Sequence, residues 1–163
     1  MAKKKALLLG GAGFIGINIA KHLVNNRDYE ITIADVSFAR EWREYFNDEN
    51  ISKIIFINDD FSSPAAFDRL DTDYDYVYML ASVVGVNPTL EHPEEVIRIN
   101  TSLILNCVEW LKKSRVKKVL FCSSSECYAG ATEVFNWPIP TGESVPRHDG
   151  ALREFGCIYL RPI

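Results

Sequence analysis

The most constraining feature of the sequence is a glycine-rich turn near its amino end. Gly10, Gly13 and Gly16 stand between the apolar run Ala6–Leu9 and a segment of helical period that begins at Phe14. In such a context the first glycine allows a tight turn, the second lets the backbone approach a pyrophosphate, and the third lets the helix pack on the strand. The N–H groups at the helix N-terminus attract the anion. The turn therefore predicts a dinucleotide site; the alternative is an ordinary strand–helix turn.

Short apolar runs alternate with longer segments of helical period, which is typical of βαβ units around a parallel sheet. The predicted strands are Ala6–Leu9, Glu30–Ala34, Lys53–Ile57, Tyr76–Leu80 and Lys117–Cys122, and Ile158–Leu160 would be a sixth. The predicted helices are Phe14–Asn25, Ala39–Phe46, Pro64–Leu70 and Pro93–Ser114. Right-handed crossovers then give an α/β fold with a doubly wound parallel sheet of order 3-2-1-4-5 between two helical layers.

The helix Pro93–Ser114 carries the clearest pattern. Its apolar residues fall on one face at three- and four-residue steps: Val96, Ile99, Leu103, Cys107, Trp110 and Leu111. Pro93 suits a first turn, where the following pair Glu94 and Glu95 would face the positive end of the helix dipole. Residues 1–128 are predicted as one nucleotide-binding domain, and residues 129–163, which begin in a stretch rich in Pro, Gly and charge, as a loop-rich remainder.

An acidic residue follows the second predicted strand at the distance that a dinucleotide site requires. Asp35 lies nineteen residues after Gly16, where its carboxylate can accept hydrogen bonds from the adenosine ribose hydroxyls. The same carboxylate would repel the extra phosphate of NADP, so NAD is the predicted cofactor. Arg40 is near enough to keep NADP as the alternative. The alternative role for Asp35 is that of a turn cap.

The composition narrows the classes of partner. A net charge of -4 and a pI near 5.4 argue against a general affinity for nucleic acid or anionic membranes. No apolar stretch approaches the roughly 20 residues that span a bilayer, so a cytoplasmic location is predicted. Four cysteines without a CxxC pair, and three scattered histidines, predict neither a metal site nor a redox motif. The cysteines are expected to act as small apolar filler.

Further segments resemble the extended short-chain dehydrogenase/reductase family, which comprises NAD-dependent nucleotide-sugar epimerases, dehydratases and decarboxylases. The three glycines are spaced as in its GxxGxxG motif, with Phe14-Ile15 as in its GFIG. Asp60-Phe61 resembles a pair whose acidic residue meets the adenine, and Leu80-Ala81-Ser82 resembles the LAA segment along the cofactor. Asn100 takes the place of a structural asparagine in the long helix. The resemblance implies a Rossmann-type fold.

The segment Ser123–Tyr128, SSSECY, closely resembles the SSSEVY of that family at the end of the fifth strand. The resemblance implies that Ser123 contributes to the cofactor site and that Ser124 is the catalytic residue that hydrogen-bonds the reacting sugar oxygen. Glu126 would act on the sugar, and Ser124, Ser125 and Glu126 would bind it. The alternative for these serines is a helix cap or turn. The 4,6-dehydratases usually have Asp-Glu where this chain has Ser125-Glu126, so an epimerase or decarboxylase is expected.

One family element is missing from the printed sequence. The family's proton-transferring Tyr is followed four residues later by a Lys, and none of the seven tyrosines has such a lysine. We therefore expect a truncated, catalytically impaired form of a nucleotide-sugar enzyme. A non-catalytic NAD-binding module and a different doubly wound fold that binds a mononucleotide or flavin are the alternatives. In the family, dimers commonly pack the long helix with the TyrxxxLys helix, of which only the first is present here; the oligomeric state stays open, with Pro93–Ser114 as the candidate homodimer contact.

Overall fold

The computed structural model describes residues 3–26, 28–38 and 44–123. Five strands are present in these ranges: β1 Lys4–Leu9, β2 Tyr29–Asp35, β3 Ile54–Asn58, β4 Tyr76–Met79 and β5 Lys118–Phe121. The helices are α1 Phe14–Val24, α2 Asp48–Ile51, α3 Val86–Glu91 and α4 Pro93–Leu111, with a 3-10 helix at Pro64–Arg69. In this part of the chain no helix is both long and apolar enough to cross a bilayer.

All neighbouring strands pair in parallel, and the sheet order is β3-β2-β1-β4-β5. The predicted order 3-2-1-4-5 is therefore confirmed. The central strand β1 is fully buried over its four apolar residues Ala6 to Leu9, because helices cover both of its faces. A strand buried on both sides reads as a continuous apolar run instead of an alternating one, which is the pattern that the sequence shows there.

Successive residues of β1 enter two separate cores. Leu7 and Leu9 pack in the core beneath α4 and the 3-10 helix, whereas Ala6 and Leu8 pack in the core beneath α1. The first core is rich in aromatic side chains: Phe61, Phe67, Tyr74 and Trp110. The Phe61 and Phe67 rings lie edge to face, with centroids 5.3 Å apart, a favoured arrangement for aromatic pairs. The two cores confirm the three-layer arrangement.

Helix α4 buries the face that its sequence pattern predicts. Leu103, Cys107 and Trp110 are buried, and Ile99 and Leu111 are partly buried against the same core. Burial raises the pKa of the Cys107 thiol to about 11, because the charged form is disfavoured away from water. Cys107 therefore acts as an apolar core residue, as predicted.

The structure departs from the predicted elements at three places. Pro64–Arg69 is a 3-10 helix instead of the predicted α-helix, and six residues make only two such turns. The short helices α2 and α3 were not predicted. Helix α3 contains Pro88 and buries no side chain, so its sequence has no apolar period. Of the predicted helix Ala39–Phe46, only residues 44–46 are described, and they are not α-helical. The predicted strand Ile158–Leu160 and the division at residue 128 lie outside the described residues.

An ion-paired cluster holds the amino ends of three strands together. The Asp75 side chain pairs with Lys117 and also accepts a hydrogen bond from the backbone N–H of Lys5 at 2.8 Å. These two donors hold the pKa of the Asp75 carboxyl below its ordinary value, and the Lys117 hydrogen bond is the larger cause. Lys5 also pairs with Asp71 at 2.8 Å. The cluster therefore ties the amino end of β1 to the residues that precede β4 and β5. It lies at the edge of the sheet opposite the carboxyl ends of the strands.

Candidate functional site

A cleft of about 640 Å³ opens at the carboxyl ends of the strands, the edge at which open α/β sheets bind ligands. Its lining includes most of the residues that the sequence assigns to a cofactor: Gly10, Gly13, Phe14, Ile15, Gly16, Asp35, Asp60, Phe61, Leu80, Ala81 and Ser82. The structure therefore brings these residues together at one site. Of the predicted set, Asn100 and Ser123 are described but do not belong to this lining.

Gly10 ends β1 in a conformation that other residues rarely adopt. Its φ is +80°, and a Cβ atom at this position would lie 2.4 Å from the backbone nitrogen of Ala81. The Gly10 N–H also donates to the carbonyl of Ala34 at 2.7 Å. Both the tight turn and the close approach of the loop after β4 therefore require glycine here.

Gly16 allows a close contact between α1 and the turn. A Cβ atom at Gly16 would lie 2.4 Å from the Cα of Gly11 and 2.5 Å from its carbonyl oxygen. The three atoms nearest to that Cβ all belong to Gly11, so the close contact that glycine allows here is made with the turn that follows β1. Gly11 is equally crowded, because a Cβ there would lie 2.8 Å from the Leu8 carbonyl oxygen. Gly11 is not one of the three glycines of the predicted motif.

Gly13 differs from the other glycines because its missing side chain leaves open space. The nearest described atom to an added Cβ would be the Gly10 carbonyl oxygen, at 3.7 Å. Gly13 is the N-cap of α1, with extended backbone angles of -77° and 173°, and no side-chain hydrogen bond caps this helix end. The first-turn N–H groups of a helix have no acceptor within the helix. An uncapped N-terminus beside open space fits the pyrophosphate of a dinucleotide.

Asp35 is the last residue of β2 and faces the glycine-rich turn. Its Oδ2 accepts a hydrogen bond from the Ala12 N–H at 2.9 Å, and its Oδ1 accepts one from the Ser37 N–H at 3.3 Å. The second of these bonds is the turn-capping contact that the sequence left as the alternative role. A carboxylate oxygen has lone pairs for further donors. Asp35 can therefore both fix the turn and bind ribose hydroxyls in the same cleft.

The loop after β4 forms another wall of the cleft, and a side chain of α4 holds this loop in place. The Leu80 N–H donates to the Leu9 carbonyl at 2.8 Å. Asn100 accepts a hydrogen bond from the Val83 N–H at 2.7 Å and donates to the Val83 carbonyl at 3.0 Å. The side chain of Asn100 thus satisfies both backbone groups of one loop residue. Asn100 does not line the cleft itself but holds Val83, which does. This position is consistent with the structural role that the resemblance implies.

The loop after β3 closes the cleft on the other side. Asp60 lines it, and the Oδ1 atom of Asp60 accepts a hydrogen bond from the Ser62 N–H at 2.9 Å. Phe61 also lines the cleft, but it is only 3% exposed, so its side chain belongs mainly to the core. Asn106 of α4 donates to the Ser62 carbonyl at 2.8 Å. Sequence reasoning missed Asn106, although a polar residue on the otherwise apolar face of α4 was the available signal.

The fifth strand delivers its carboxyl end to the same cleft. Cys122, the residue after β5, is part of the lining, and Ser123 beside it is exposed. The predicted catalytic and substrate-binding residues Ser124, Ser125 and Glu126 lie outside the described residues, as does Arg40. Among residues 3–26, 28–38 and 44–123 no group of His, Cys, Asp and Glu could hold a metal ion.

Known proteins resemble the chain in both sequence and fold. The model of the NAD dependent epimerase/dehydratase family matches residues 6–149. The UDP-N-acetyl-alpha-D-glucosaminuronate decarboxylase of Bacillus cytotoxicus is 33% identical over 134 residues, which are 82% of this chain and 40% of that protein. A UDP-glucuronate 4-epimerase of Thermodesulfobacterium geofontis is 29% identical over 139 residues, 80% of this chain and 42% of that protein. The chain thus spans about 40% of the length of these relatives.

Solved structures give the same picture. The UDP-N-acetylglucosamine 4-epimerase of Methanobrevibacter ruminantium in complex with UDP-N-acetylmuramic acid is 30% identical with a TM-score of 0.70, and the match covers 88% of this chain and 44% of that one. The Bordetella bronchiseptica enzyme WbmF in complex with NAD+ and UDP is 27% identical with a TM-score of 0.62, covering 74% of this chain and 35% of that one. The fold is therefore shared with these enzymes.

Proposed function

The chain belongs to the NAD dependent epimerase/dehydratase family, and on that premise we propose that it binds NAD in the cleft as part of an enzyme that acts on a nucleotide sugar. One observation carries the proposal: the uncapped N-terminus of α1 adjoins the open face of Gly13 in the cleft that Asp35 also lines. A dinucleotide needs an anion site and a ribose site side by side, and the cleft provides both. The bound NAD+ of WbmF supports the cofactor.

In this proposal each part of the cleft binds one part of the cofactor. The first-turn N–H groups of α1 donate to the pyrophosphate oxygens, which only a residue without a side chain at position 13 leaves accessible. The Asp35 carboxylate accepts hydrogen bonds from the adenosine ribose and repels a phosphate on that ribose, which favours NAD over NADP. The loop around Asp60 lies beside the adenine. When bound, NAD supplies a hydride acceptor for the sugar.

The class of reaction is the finer part of the proposal. By resemblance, Ser124 hydrogen-bonds the sugar oxygen from which a proton departs, and Glu126 acts elsewhere on the sugar ring. Ser125 stands where 4,6-dehydratases usually have an acid, which favours an isomerase or a lyase of the epimerase or decarboxylase type. A 4-epimerase and a decarboxylase are both among the relatives that the chain resembles.

A second candidate function is a non-catalytic NAD-binding module. The observation in its favour concerns these 163 residues alone: no Tyr among them is followed four residues later by a Lys, so this stretch by itself lacks the family's proton-transferring pair. The two candidates share the cofactor site and differ in the sugar. An enzyme must bind a nucleotide sugar beside NAD, whereas a module need not.

A homodimer through α4 belongs to the same proposal. The face of α4 that points away from the core carries an exposed apolar stripe: Ile97, Ile104, Leu105 and Val108. Large apolar side chains grouped on the exposed face of a helix are typical of a protein interface. Light scattering should therefore give twice the chain mass for the unmodified chain and the monomer mass for Leu105→Glu.

Calorimetric titration of the purified chain with NAD, NADP and a UDP-sugar tests the proposed function. We expect NAD to bind more tightly than NADP. Binding of a UDP-sugar to a longer protein that contains this chain would support the enzyme, and binding of NAD alone would support the module. Absence of binding by either dinucleotide would refute both and leave a mononucleotide or flavin as the ligand class to test.

A further inference from the structure

We propose that Asn58 is a positioning residue that fixes the end of β2 and thereby the direction of the Asp35 carboxylate. It would thus set the preference of the cleft for a dinucleotide whose adenosine ribose has a free 2′-hydroxyl. The inference rests on the proposed NAD-binding function and adds a residue to it. Asn58 is outside the cleft lining, and neither the glycine motif nor the family resemblance points to it.

The amide of Asn58 holds two consecutive carbonyls of the neighbouring strand. Asn58 is the last residue of β3 and pairs in register with Asp35, the last residue of β2. Its Nδ2 donates to the Asp35 carbonyl at 3.1 Å and to the Val36 carbonyl at 2.8 Å. The backbone N–H of Asp59 also donates to the Asp35 carbonyl, at 3.1 Å. Both peptide groups that follow the Asp35 Cα are therefore fixed by β3 and the residue after it.

The second of these peptide groups, between Val36 and Ser37, is also hydrogen-bonded to the Asp35 carboxylate. The Val36 carbonyl and the Ser37 N–H belong to one planar peptide unit. Asn58 holds the carbonyl end of this unit, and the N–H end donates to Asp35 Oδ1 at 3.3 Å. The other carboxylate oxygen, Oδ2, is held by the Ala12 N–H at 2.9 Å. The carboxylate direction thus depends on the glycine-rich turn on one side and on Asn58, acting through a rigid peptide, on the other.

The hydrogen bonds of Asn58 orient the end of β2 more than they stabilise the fold. Asn58 is exposed, so water can replace its amide at both carbonyls when the side chain is removed, and the cost in unfolding free energy is small. Water does not hold a peptide plane in one orientation. Losing Asn58 should therefore let the Val36–Ser37 peptide rotate and free the carboxylate from its ribose-binding direction, while the fold is retained.

The test compares affinities for NAD and NADP in Asn58→Ala, with Asn25→Ala as the matched control. Asn25 is an exposed asparagine whose Nδ2 donates to one carbonyl, that of Lys21 at 2.9 Å, at the far end of α1. We expect Asn58→Ala to weaken NAD binding by about 3- to 10-fold, the scale of one or two hydrogen bonds, and to leave NADP binding within about twofold. Asn25→Ala should change neither affinity.

A second variant reverses the polarity with almost no change of shape. Asn58→Asp places a carboxylate oxygen against the two carbonyls, so repulsion replaces the hydrogen bonds. Its loss of NAD affinity should exceed that of Asn58→Ala. In a double-mutant cycle, Asn58→Ala should add no further loss in an Asp35→Ala background, because Asn58 acts only through Asp35.

The outcomes separate this inference from the function on which it rests. Failure of the unmodified chain to bind NAD would refute the proposed function and the inference together. Normal NAD binding that Asn58→Ala leaves unchanged would refute the inference alone. Equal weakening of NAD and NADP, or a full additional loss in the Asp35→Ala background, would show that Asn58 is only a structural residue and would also overturn the inference.

Discussion

The substitution Gly13→Ser should raise stability and weaken cofactor binding at the same time. Gly13 is the N-cap of α1, and its extended backbone suits serine, a favoured N-cap residue. A Cβ atom here would have only the Gly10 carbonyl oxygen, 3.7 Å away, as a close neighbour among the described atoms. The serine hydroxyl can therefore accept a hydrogen bond from the first turn of α1. The same hydroxyl would occupy the space and the N–H groups that the pyrophosphate needs.

The two effects have opposite signs and measurable sizes. Serine should add roughly 0.5–1.5 kcal/mol to the free energy of unfolding, from the cap and from a less flexible unfolded chain. In a protein of this size, that shift corresponds to an increase in Tm of about 1–5 °C. Losing one or two charge-assisted hydrogen bonds to phosphate should weaken NAD binding by about 10- to 100-fold.

Thermal unfolding and calorimetric titration measure the two effects, and Gly16→Ala provides the contrast. A methyl at position 16 would lie 2.4 Å from the Gly11 Cα, so this variant should lose about 1–3 kcal/mol of stability through overpacking. The reasoning would be refuted by a Gly13→Ser variant that binds NAD as tightly as the unmodified chain. A marked fall in its Tm would contradict the claim that position 13 has room for a side chain.

Three further predictions concern the same cleft, the ion-paired edge and the reaction class. Asp35→Ala should lower NAD affinity by about 1–2 kcal/mol, and equal affinities of the unmodified chain for NAD and NADP would remove Asp35 from the site. Asp75→Asn should lower the free energy of unfolding at neutral pH. Because the folded pKa of Asp75 is depressed, the difference in unfolding free energy between the two proteins should have its full size above about pH 4 and vanish as the pH falls through the folded pKa. Denaturant unfolding as a function of pH measures it, and a pH-independent difference would contradict the Lys117 pairing. A longer protein that contains this sequence should form no 4-keto-6-deoxy sugar from a nucleotide-activated hexose, and product analysis that finds one would overturn the interpretation of Ser125.

The sheet was predictable because its signals are local and strong. The β1 run Ala6–Leu9 is apolar without interruption because it is central, and a glycine-rich turn after it indicates a βα unit. The short helices α2 and α3 gave no such signal: α3 packs no buried side chain, so nothing in its apolar pattern distinguishes it from a loop. The 3-10 helix Pro64–Arg69 buries Ala66 and Phe67, an apolar pattern too short to distinguish it from the predicted α-helix.

The site was predictable where one residue type is chemically required. Asp35 and the glycines at 10, 13 and 16 line one cleft, and they could be singled out in advance because a tight turn, a close approach and a ribose acceptor admit few substitutes. Asn58 and Asn106 were missed because each acts on a loop distant in sequence, through bonds to backbone carbonyls that any residue could offer. At Gly16 the glycine motif predicts close packing, and the structure adds that the nearest atoms belong to Gly11 in the turn after β1.

The 163-residue chain should bind NAD without turning over a nucleotide sugar. Removing a hydride from a sugar carbinol leaves a proton on oxygen that a base must accept. A tyrosine with a pKa of about 10 is a poor base at neutral pH unless a nearby cation lowers that value, and no tyrosine in this sequence has a lysine four residues later. In the proposed role Ser124 would orient the sugar, but a serine hydroxyl cannot accept the proton unaided.

Positioned proton transfer contributes about 10²–10⁴-fold to such reactions, so its loss should leave little detectable rate even when NAD is bound. The test is to confirm NAD binding and then to follow NADH absorbance and sugar products with UDP-glucuronate, UDP-glucose or UDP-N-acetylglucosamine. A longer protein that contains this sequence and supplies a TyrxxxLys segment should turn over and serves as the positive control. Turnover by the 163-residue chain at an ordinary enzymatic rate would show that another of its residues accepts the proton, and Glu126→Gln would then be the first variant to examine.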